Sequence, residues 1–340
     1  MEIVFLVLSL LMILLSAEFF TNGVESLGKR LSLSQAVVGS ILAAVGTALP
    51  ETILPFVAIL IHGGDAAKNI GVGAILGAPF MLTTLAFFLV GVSVVVSFLM
   101  KKRRFELTVE VHSMKRDLMF FVVMYSSAIF FPLLVPKSHM FIAASLAVGY
   151  LIYAYITFKG ESADIMHAEE LYFRRFVAGG LRLTGKLPSA ESAASLPLIA
   201  FQVLAALAIM VGGAHVFVGN LEKISTAWGM NPLLFALLIA PVATELPEKF
   251  NSVTWTLKGR DTLAMGNITG AMVFQSTFPV SIGLLFTDWD ISGFALFSAI
   301  LALASAVIVI ADIHIRKRIS PVTILIGGAF YLIYAVVVIF

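Results

Sequence analysis

The chain has 340 residues, of which 60% are hydrophobic and 12% are charged, and its formal net charge is +2. Soluble domains carry about 25% charged residues, so this composition excludes an ordinary soluble protein and indicates an all-α integral membrane protein. The absence of cysteine excludes disulfides, thiolate metal sites and cysteine catalysis. The apolar runs have the length of α-helical spans, about 20 residues, rather than the alternating pattern of an outer-membrane barrel.

The first half of the chain, residues 1–158, is predicted to hold five transmembrane helices. Its N-terminus lacks the basic stretch of a cleavable signal, so the first apolar run is interpreted as a permanent span. The spans are expected at about 3–22, 35–61, 66–98, 118–135 and 139–158. The second of them is interrupted by the polar break from Gly46 to Pro50.

A polar segment, 159–195, follows and is interpreted as a cytoplasmic linker with a surface helix. The second half, 196–340, repeats the count of five spans, with an interruption near Pro241 to Pro247 in the second of them. These spans are expected at about 196–220, 231–257, 261–286, 291–312 and 320–340. The predicted fold therefore has ten transmembrane helices, with helices two and seven broken.

The distribution of basic residues predicts the orientation in the membrane. With ten spans, the loops after spans one, three, five, seven and nine share one side, and they hold most of the basic residues. These are Lys29, Arg30, Lys101, Lys102, Arg103, Arg104, Lys115, Arg116, Lys159, Arg174, Arg175, Arg182, Lys186, Lys258, Arg260, Arg316, Lys317 and Arg318. The opposite side holds Lys68, Lys137 and Lys223. The positive-inside rule makes the first side cytoplasmic, so we expect a multi-pass plasma-membrane protein with both termini outside.

The pattern Thr-x-x-Pro-Glu occurs once in each half, inside an apolar segment. The first copy is Gly46-Thr47-Ala48-Leu49-Pro50-Glu51, and the second is Ala243-Thr244-Glu245-Leu246-Pro247-Glu248. An acidic residue at the centre of a membrane helix costs about 2.5–3.5 kcal/mol on insertion scales. Two such carboxylates at matching places favour an ion site over two unrelated structural acids.

A constant offset relates the two halves. Thr47 and Thr244 are 197 positions apart (244 − 47 = 197). The same offset relates Ala17 to Ala214, Phe20 to Phe217, Glu25 to Glu222, Pro50 to Pro247, Glu51 to Glu248 and Gly73 to Gly270. Because each half has five spans, the second copy enters the membrane from the opposite side. Inverted repeats of this kind are typical of secondary transporters, whose site lies near the midplane between the repeats.

These motifs resemble the calcium/cation antiporter superfamily, which includes the sodium/calcium exchangers. Its members have two inverted five-helix halves, each with a Gly-Thr-Ser-x-Pro-Glu element and a Gly-Ser-Asn-like stretch on the next helix. The two Thr-x-x-Pro-Glu copies match the first element. The second element corresponds to the segments 73–78 (GAILGA) and 270–275 (GAMVFQ). There the family's serine and asparagine ligands are replaced by Ala74, Ala78 and Ala271.

The prolines of the repeated motif indicate where backbone oxygens become available. Pro50 and Pro247 have no N–H and clash with the carbonyl four residues earlier. Those carbonyls belong to Gly46 and Ala243. Each predicted break therefore offers free oxygens about one helical turn from a glutamate.

Glu51 and Glu248 are the predicted metal ligands. Together they supply two negative charges, and a hard cation such as Ca²⁺ takes six to eight oxygen ligands, preferably including carboxylates. Thr47 and Thr244 lie four residues before these glutamates, on the same helical face. Each threonine either completes the ligand shell or only bonds the preceding turn of its own helix.

Glu245 breaks the symmetry of the two motifs, because the first copy has Ala48 in its place. One interpretation is a local ion pair with Lys249, four residues later, which makes the lysine tolerable in the membrane. The other is a third carboxylate that serves as a ligand or proton carrier. Gln275 takes the place of a polar or acidic ligand of the family. It is expected to face the site, the alternative being an interhelical hydrogen bond.

The resemblance implies a secondary antiporter that exchanges Ca²⁺ for Na⁺. Two alternatives stay open: exchange of Ca²⁺ or another divalent cation for H⁺, and a non-calcium cation pathway on the same fold. No phosphate-binding glycine loop, Ser/His pair, paired Asp or zinc-ligand pattern is evident, so ATP use and enzymatic activity are not expected. The expected partners are inorganic cations and the lipid bilayer, with no nucleic acid and no cofactor other than the transported ions, in a monomer or weak homo-oligomer.

Overall fold

The computed structural model describes residues 1–30, 48–135, 137–160, 171–172 and 195–339. Every regular element in these ranges is helical, as predicted. The first half contains α1 (Glu2–Arg30), α2 (Leu49–Phe56), α3 (Asp65–Met81), α4 (Phe87–Leu99), α5 (Val111–Leu134) and α6 (His139–Gly160). The second half contains α7 (Leu196–Ala227), α8 (Pro232–Thr244), α9 (Leu246–Leu257), α10 (Asp261–Gln275), α11 (Phe278–Phe286), α12 (Gly293–Arg316) and α13 (Pro321–Ile339).

Eight helical segments of the described chain are long and apolar enough to cross a membrane. They are Glu2–Val24, Asp65–Leu99, Val111–Leu134, His139–Thr157, Leu196–Ala227, Asp261–Phe286, Gly293–Arg316 and Pro321–Val338. Two shorter apolar segments, Leu49–His62 and Pro232–Val242, occupy the places of predicted spans two and seven. The part of span two that precedes Ala48 lies outside the described residues.

Two π-helical stretches follow prolines in the first half. Val57–His62 continues α2 from the second residue after Pro55, and Leu82–Ala86 joins α3 to α4 shortly after Pro79. A proline removes one backbone donor from the helical ladder, and a wider turn re-satisfies the carbonyls around it. The helices therefore continue without a loop at membrane depth.

The second half has two true breaks. The first lies at Glu245, between α8 and α9, inside the interval that the sequence predicts. The second lies at Ser276 and Thr277, between α10 and α11, where the sequence predicts an uninterrupted span. The physical reason is Pro279, which has no N–H for the carbonyl of Gln275.

Small residues allow the closest helix crossings. A Cβ built on Gly73 would lie 2.1 Å from the carbonyl oxygen of Leu233, and one on Gly77 would lie 2.2 Å from that of Leu237, so α3 and α8 touch through their backbones. Glycines four residues apart are typical of tight helix pairs in membranes. The segment 73–78, where alanines replace the ligands of the resembled family, is therefore a packing surface in this protein.

Helices α1 and α7 pack along each other as a pair. Gly213 of α7 faces Ile13 and the carbonyl of Ser9, and Gly23 of α1 faces Val203. This pair meets α2, α3 and α8 through a second, smaller apolar cluster that includes Leu54, Ile70 and other residues. The larger cluster is built mainly from α3 to α6, α8 and α10 to α13. The α1–α7 pair thus borders the main core rather than forming part of it.

Candidate cation site

Glu51 lies in the first turn of α2, behind Ala48 and Pro50. Its side chain is buried, with 6% of its surface exposed. Helix α2 packs against α3, α7, α8 and α11, so this carboxylate is held among helices from both halves of the chain. Pro55, four residues later, has no N–H for the Glu51 backbone carbonyl to accept from. The sequence pattern around Glu51 therefore places a carboxylate and a weakened helical ladder in the same turn.

Glu245 occupies the break between α8 and α9, and it is 1% exposed. Its Oε2 accepts a hydrogen bond of 2.6 Å from Nζ of Lys249, which is 4% exposed. The structure thus contains the local ion pair that was one of the two interpretations of Glu245. An acid and a base that neutralise each other one turn apart are tolerated at membrane depth, where either charge alone is costly.

Gln275 ends α10 beside the second break, and its side chain is buried. Its amide interacts with the carboxylate of Glu245. Oε1 of Gln275 and Oε1 of Glu245 accept no hydrogen bond from any group in the described part of the chain. Two helix breaks of the second half therefore meet, and they present oxygen atoms that can bind a cation.

Thr244 is buried, and its hydroxyl donates to the carbonyl of Ala240 at 3.1 Å. This is the bond to the preceding turn that competes with ligation. Ala243 and Glu248 lie on the described backbone of α8 and α9. Gly46 and Thr47 fall outside the described residues. Among the side chains that the structure describes, no three Asp, Glu or His groups converge as metal ligands.

A buried acid that sequence reasoning missed lies near this site. Asp117 of α5 accepts a hydrogen bond of 2.8 Å from Thr269 and is paired with Arg116 at 2.9 Å. Thr269 lies on α10, six positions before Gln275, and Tyr153 of α6 covers the Arg116 guanidinium. The sequence signal for Asp117 is an acid six residues after the start of an apolar helix. It was missed because the neighbouring Arg116 was assigned to the basic loop.

A second missed pair joins the two halves at the start of the Asp261–Phe286 span. Arg103, in the loop before α5, forms a bidentate contact with Asp261 at the start of α10, one arm of which measures 2.8 Å. The backbone N–H of Thr108 donates to the same carboxylate at 2.9 Å. Hydrogen bonding to Asp261 raises the pKa of Arg103 above its ordinary value, so this cation stays charged.

His62, at the end of the π-helical stretch that continues α2, and His215 of α7 face each other. Their Nδ1 atoms are 3.3 Å apart, and Nε2 of His62 lies 3.5 Å from Glu222. They line a cavity of about 720 Å³ together with Lys223 and residues of the last turns of α7. These contacts join the end of the α2 segment to the helix pair α1–α7.

Comparisons with known proteins follow the same division of the chain. The sequence profile of the family described as "Sodium/calcium exchanger protein" matches residues 1–159 and 198–340, leaving out the predicted linker. The putative antiporter CaxA of Alkalimonas amylolytica is 24% identical over 297 residues, 83% of this chain and 80% of the relative. The inner membrane protein YrbG of Escherichia coli K12 is 24% identical over 291 residues, 85% and 81% of the two chains.

Two solved structures share the fold. The H⁺/Ca²⁺ exchanger CAX superposes with a TM-score of 0.70 at 18% identity, covering 100% of this chain and 82% of the other. The sodium–calcium exchanger NCX_Mj superposes with a TM-score of 0.58 at 16% identity, covering 98% and 97%. Since the family profile covers both halves, including both copies of Thr-x-x-Pro-Glu, this chain belongs to the sodium/calcium exchanger protein family.

Proposed function

We propose that this protein is a secondary antiporter that exchanges Ca²⁺ for a monovalent cation. The observation that carries the proposal is the burial of two carboxylates from opposite halves of the chain, Glu51 in the first turn of α2 and Glu245 at the break between α8 and α9. Carboxylates at membrane depth are retained where they serve an ion pathway. The names of the relatives support the same class, since they include a putative antiporter and two calcium exchangers.

Glu51 and Glu248 are the proposed metal ligands, one from each inverted repeat. The carbonyls of Gly46 and Ala243, the oxygens of Thr47 and Thr244, and the side chains of Glu245 and Gln275 are the proposed remainder of the site. Buried carboxylates without a bound cation carry a high free-energy cost, so the empty dianionic site cannot reorient across the membrane. The protein must then exchange one cation for another in each cycle. Occupation by Ca²⁺ or by monovalent cations then becomes the condition for reorientation.

The proposed architecture has ten spans as two inverted repeats, residues 1–158 and 196–340, joined by the linker 159–195. Helices α1 and α7 slide or rock against the remaining helices and expose the site alternately to the two sides. Their separate packing as a pair supports this assignment.

Na⁺ is the proposed coupling ion, and H⁺ is the second candidate. The observation that favours H⁺ is the loss of hydroxyl and amide ligands at the α3–α8 crossing, where Ala74 and Ala78 are buried beside Gly73 and Gly77. Fewer neutral oxygens are left there for Na⁺, whereas a proton needs only the carboxylates. A cation pathway without exchange would instead conduct Ca²⁺ in response to voltage alone.

Calcium uptake into proteoliposomes tests the proposal. We expect accumulation under an outward Na⁺ gradient at constant pH, and accumulation under a proton gradient without Na⁺ if H⁺ is the partner. Glu51→Gln and Glu248→Gln should each reduce counter-ion-dependent uptake at least tenfold, because each removes one charge from a divalent cation site. Glu2→Gln, at the exposed N-terminus, is the matched control. Near-normal flux in Glu51→Gln would contradict the site.

A further inference from the structure

We propose that His62 and His215 form a binding site for a transition-metal ion such as Zn²⁺, separate from the carboxylate site, and that the bound ion clamps α7 to the end of the α2 segment and inhibits exchange. The clamp rests on the proposed function, because it requires α7 to move against that segment in each cycle. Binding of the metal depends only on the two imidazoles and their surroundings.

The two imidazoles approach each other through nitrogen atoms that can bind a metal. Their Nδ1 atoms are 3.3 Å apart, whereas the ring centroids are 4.6 Å apart, so the Nδ1 edges of the rings face each other. Two nitrogens that bind one tetrahedral Zn²⁺ at about 2.0–2.1 Å are themselves about 3.3–3.4 Å apart. The separation of the pair is therefore that of two ligands of a single ion.

Glu222 favours the tautomer of His62 that can bind a metal through Nδ1. Nε2 of His62 lies 3.5 Å from Oε2 of Glu222. A proton on Nε2 is stabilised by this carboxylate, which leaves the lone pair on Nδ1. Histidines that bind metals usually donate their other N–H to a carboxylate, a carbonyl or water, which fixes the tautomer and the orientation of the ring. Glu222 is therefore a positioning residue of the proposed site and not one of its ligands.

The surroundings leave room for the ring of His62 and for the remaining ligands of the ion. A Cβ on Gly219, one turn after His215, would lie 3.2 Å from Cε1 of His62, so a glycine is the residue that best accommodates the ring. The pair lines a cavity of about 720 Å³. No third Asp, Glu or His side chain of the described chain joins the pair as a ligand, so water supplies the other ligands. Lys223 borders the cavity but is exposed, so its ammonium can stay in solvent.

The ligand type favours a transition metal over the transported ion. Imidazole suits zinc, copper and nickel, whereas Ca²⁺ takes carboxylate, carbonyl and water oxygens. A site built from two imidazoles therefore discriminates between these metals and Ca²⁺ by chemistry and not by charge.

The pair occurs in one repeat contact and not in its symmetric counterpart. By the offset of 197, His62 corresponds to Gly259 and His215 to Glu18. The matching place between the repeats therefore has no imidazole. The metal would act from one side of the membrane, which is the outer side in the proposed topology.

The two ligands belong to elements that move relative to each other in the proposed cycle. His62 ends the α2 segment, and His215 lies in the middle of α7. A bound ion stabilises only the arrangement in which both Nδ1 atoms reach it, and a ligand shifts a conformational equilibrium toward the state that it binds. Zn²⁺ should therefore slow exchange by holding α7 in one position.

Zinc binding is measured on tag-free protein in detergent, by competition with a chromogenic zinc chelator in excess Ca²⁺, which keeps the carboxylate site filled. His62→Ala and His215→Ala should each weaken binding at least tenfold, because each removes one of the two protein ligands. Glu222→Ala should weaken it about tenfold, as the loss of an outer partner usually does. His112→Ala makes the same change at an exposed histidine of α5 and should leave the affinity unchanged.

The clamp is measured as counter-ion-driven calcium movement in right-side-out vesicles. External Zn²⁺ should reduce exchange by the wild type at least fivefold, and a zinc-selective chelator should restore it. The double variant His62→Ala/His215→Ala should continue to exchange in the same Zn²⁺ concentration. Zn²⁺ applied only to the inner face should have no comparable effect.

Equal zinc affinity in the wild type and in both single variants would overturn the metal site. If one single variant does not yield a monodisperse protein, the other decides, because a two-histidine site needs both ligands. Zinc binding by the pair without inhibition would overturn the clamp, as would equal inhibition of the double variant, which would assign the inhibitory zinc to the carboxylate site. A wild-type protein without any counter-ion-coupled calcium movement would contradict the proposed function, while the binding measurement would still decide the metal site.

Discussion

Arg103 and Asp261 show how single residues fasten the two halves of the chain to each other. The Asp261 side chain is fully buried and accepts hydrogen bonds from Arg103 and from the backbone of Thr108. Arg103 also donates to the carbonyl of Thr256 at 3.1 Å. One guanidinium therefore holds the loop before α5, the end of α9 and the start of α10 together.

We expect Arg103→Ala to lower the free energy of unfolding by about 3–5 kcal/mol, because it leaves the carboxylate of Asp261 buried without its counter-charge. Arg103→Lys should recover only part of the loss, since an ammonium cannot form the bidentate contact. Thermal unfolding of the purified protein in detergent measures both effects.

Arg104→Ala is the matched control, since Arg104 is the exposed neighbour and exposed substitutions usually change stability by less than about 0.5 kcal/mol. Equal melting temperatures for Arg103→Ala and Arg104→Ala would show that the pair contributes nothing measurable.

The two repeats differ in how closely their helices cross, and the sequence does not show this difference. The offset of 197 equates Gly73 with Gly270. A Cβ on Gly73 would overlap the backbone of α8, whereas one on Gly270 would meet only the hydroxyl of Tyr153, at 3.8 Å. The same residue type is therefore required for close approach in one repeat and not in the other.

Gly77→Ala should disrupt the α3–α8 crossing, because its Cβ would lie 2.2 Å from the carbonyl of Leu237 and 2.7 Å from Pro241. Neither a backbone carbonyl nor a proline ring can turn aside as a flexible side chain does. We expect a loss of about 1–3 kcal/mol, the usual cost of overpacking, and reduced yield of folded protein by size-exclusion chromatography.

The corresponding change at the loose position, Gly270→Ala, is the control. It should be neutral or slightly stabilising, since alanine is the better helix former by roughly 1 kcal/mol. If Gly270→Ala lowered the stability more than Gly77→Ala, the α3–α8 crossing would be looser than described.

At the scale of the whole molecule, the absence of cysteine makes the proposed movement of α1 and α7 testable. A His62→Cys/His215→Cys variant joined by a short bifunctional methanethiosulfonate would tie α7 to the end of the α2 segment. If α7 moves against that segment in each cycle, exchange should fall at least tenfold and recover when a reductant cleaves the link.

The control cross-link joins helices that are proposed to move together. Gly23 and Val203 are in contact across the α1–α7 pair, so a disulfide between Gly23→Cys and Val203→Cys should leave most of the exchange intact. Full exchange activity with the His62→Cys/His215→Cys cross-link would contradict movement of the α1–α7 pair as a unit. Loss of exchange with the Gly23→Cys/Val203→Cys disulfide alone would contradict it as well.

The proposed orientation is a second property of the whole molecule. Single cysteines at Lys101 and Lys137, exposed residues in loops assigned to opposite sides, should react differently with a membrane-impermeant maleimide in intact cells. We expect labelling at Lys137→Cys without lysis and at Lys101→Cys only after lysis. The reverse pattern would invert the topology.

Much of the molecule could be predicted from local physical chemistry. Long apolar runs indicate membrane helices wherever they occur, and Pro247 predicts the break at Glu245 because it lacks an N–H. The pairing of Glu245 with Lys249 also depends only on their spacing of four residues in one helix. The family resemblance rested on residues that are close in sequence, and the comparison with known proteins confirmed it.

Other features depended on which distant segments meet. The contact of Gln275 with Glu245, the bond from Thr269 to Asp117 and the pair Arg103–Asp261 each join residues that are 30 to 158 positions apart. A repeat offset cannot show that Gly73 touches a backbone while Gly270 does not, because packing depends on the partner helix rather than on the motif. The sequence alone determined the membrane class and the break at the second of the repeated prolines, because both depend on neighbouring residues. It left the local ion pair as one of two interpretations of Glu245, whereas the tertiary structure decided that pair and which buried charges and glycines hold the helices together.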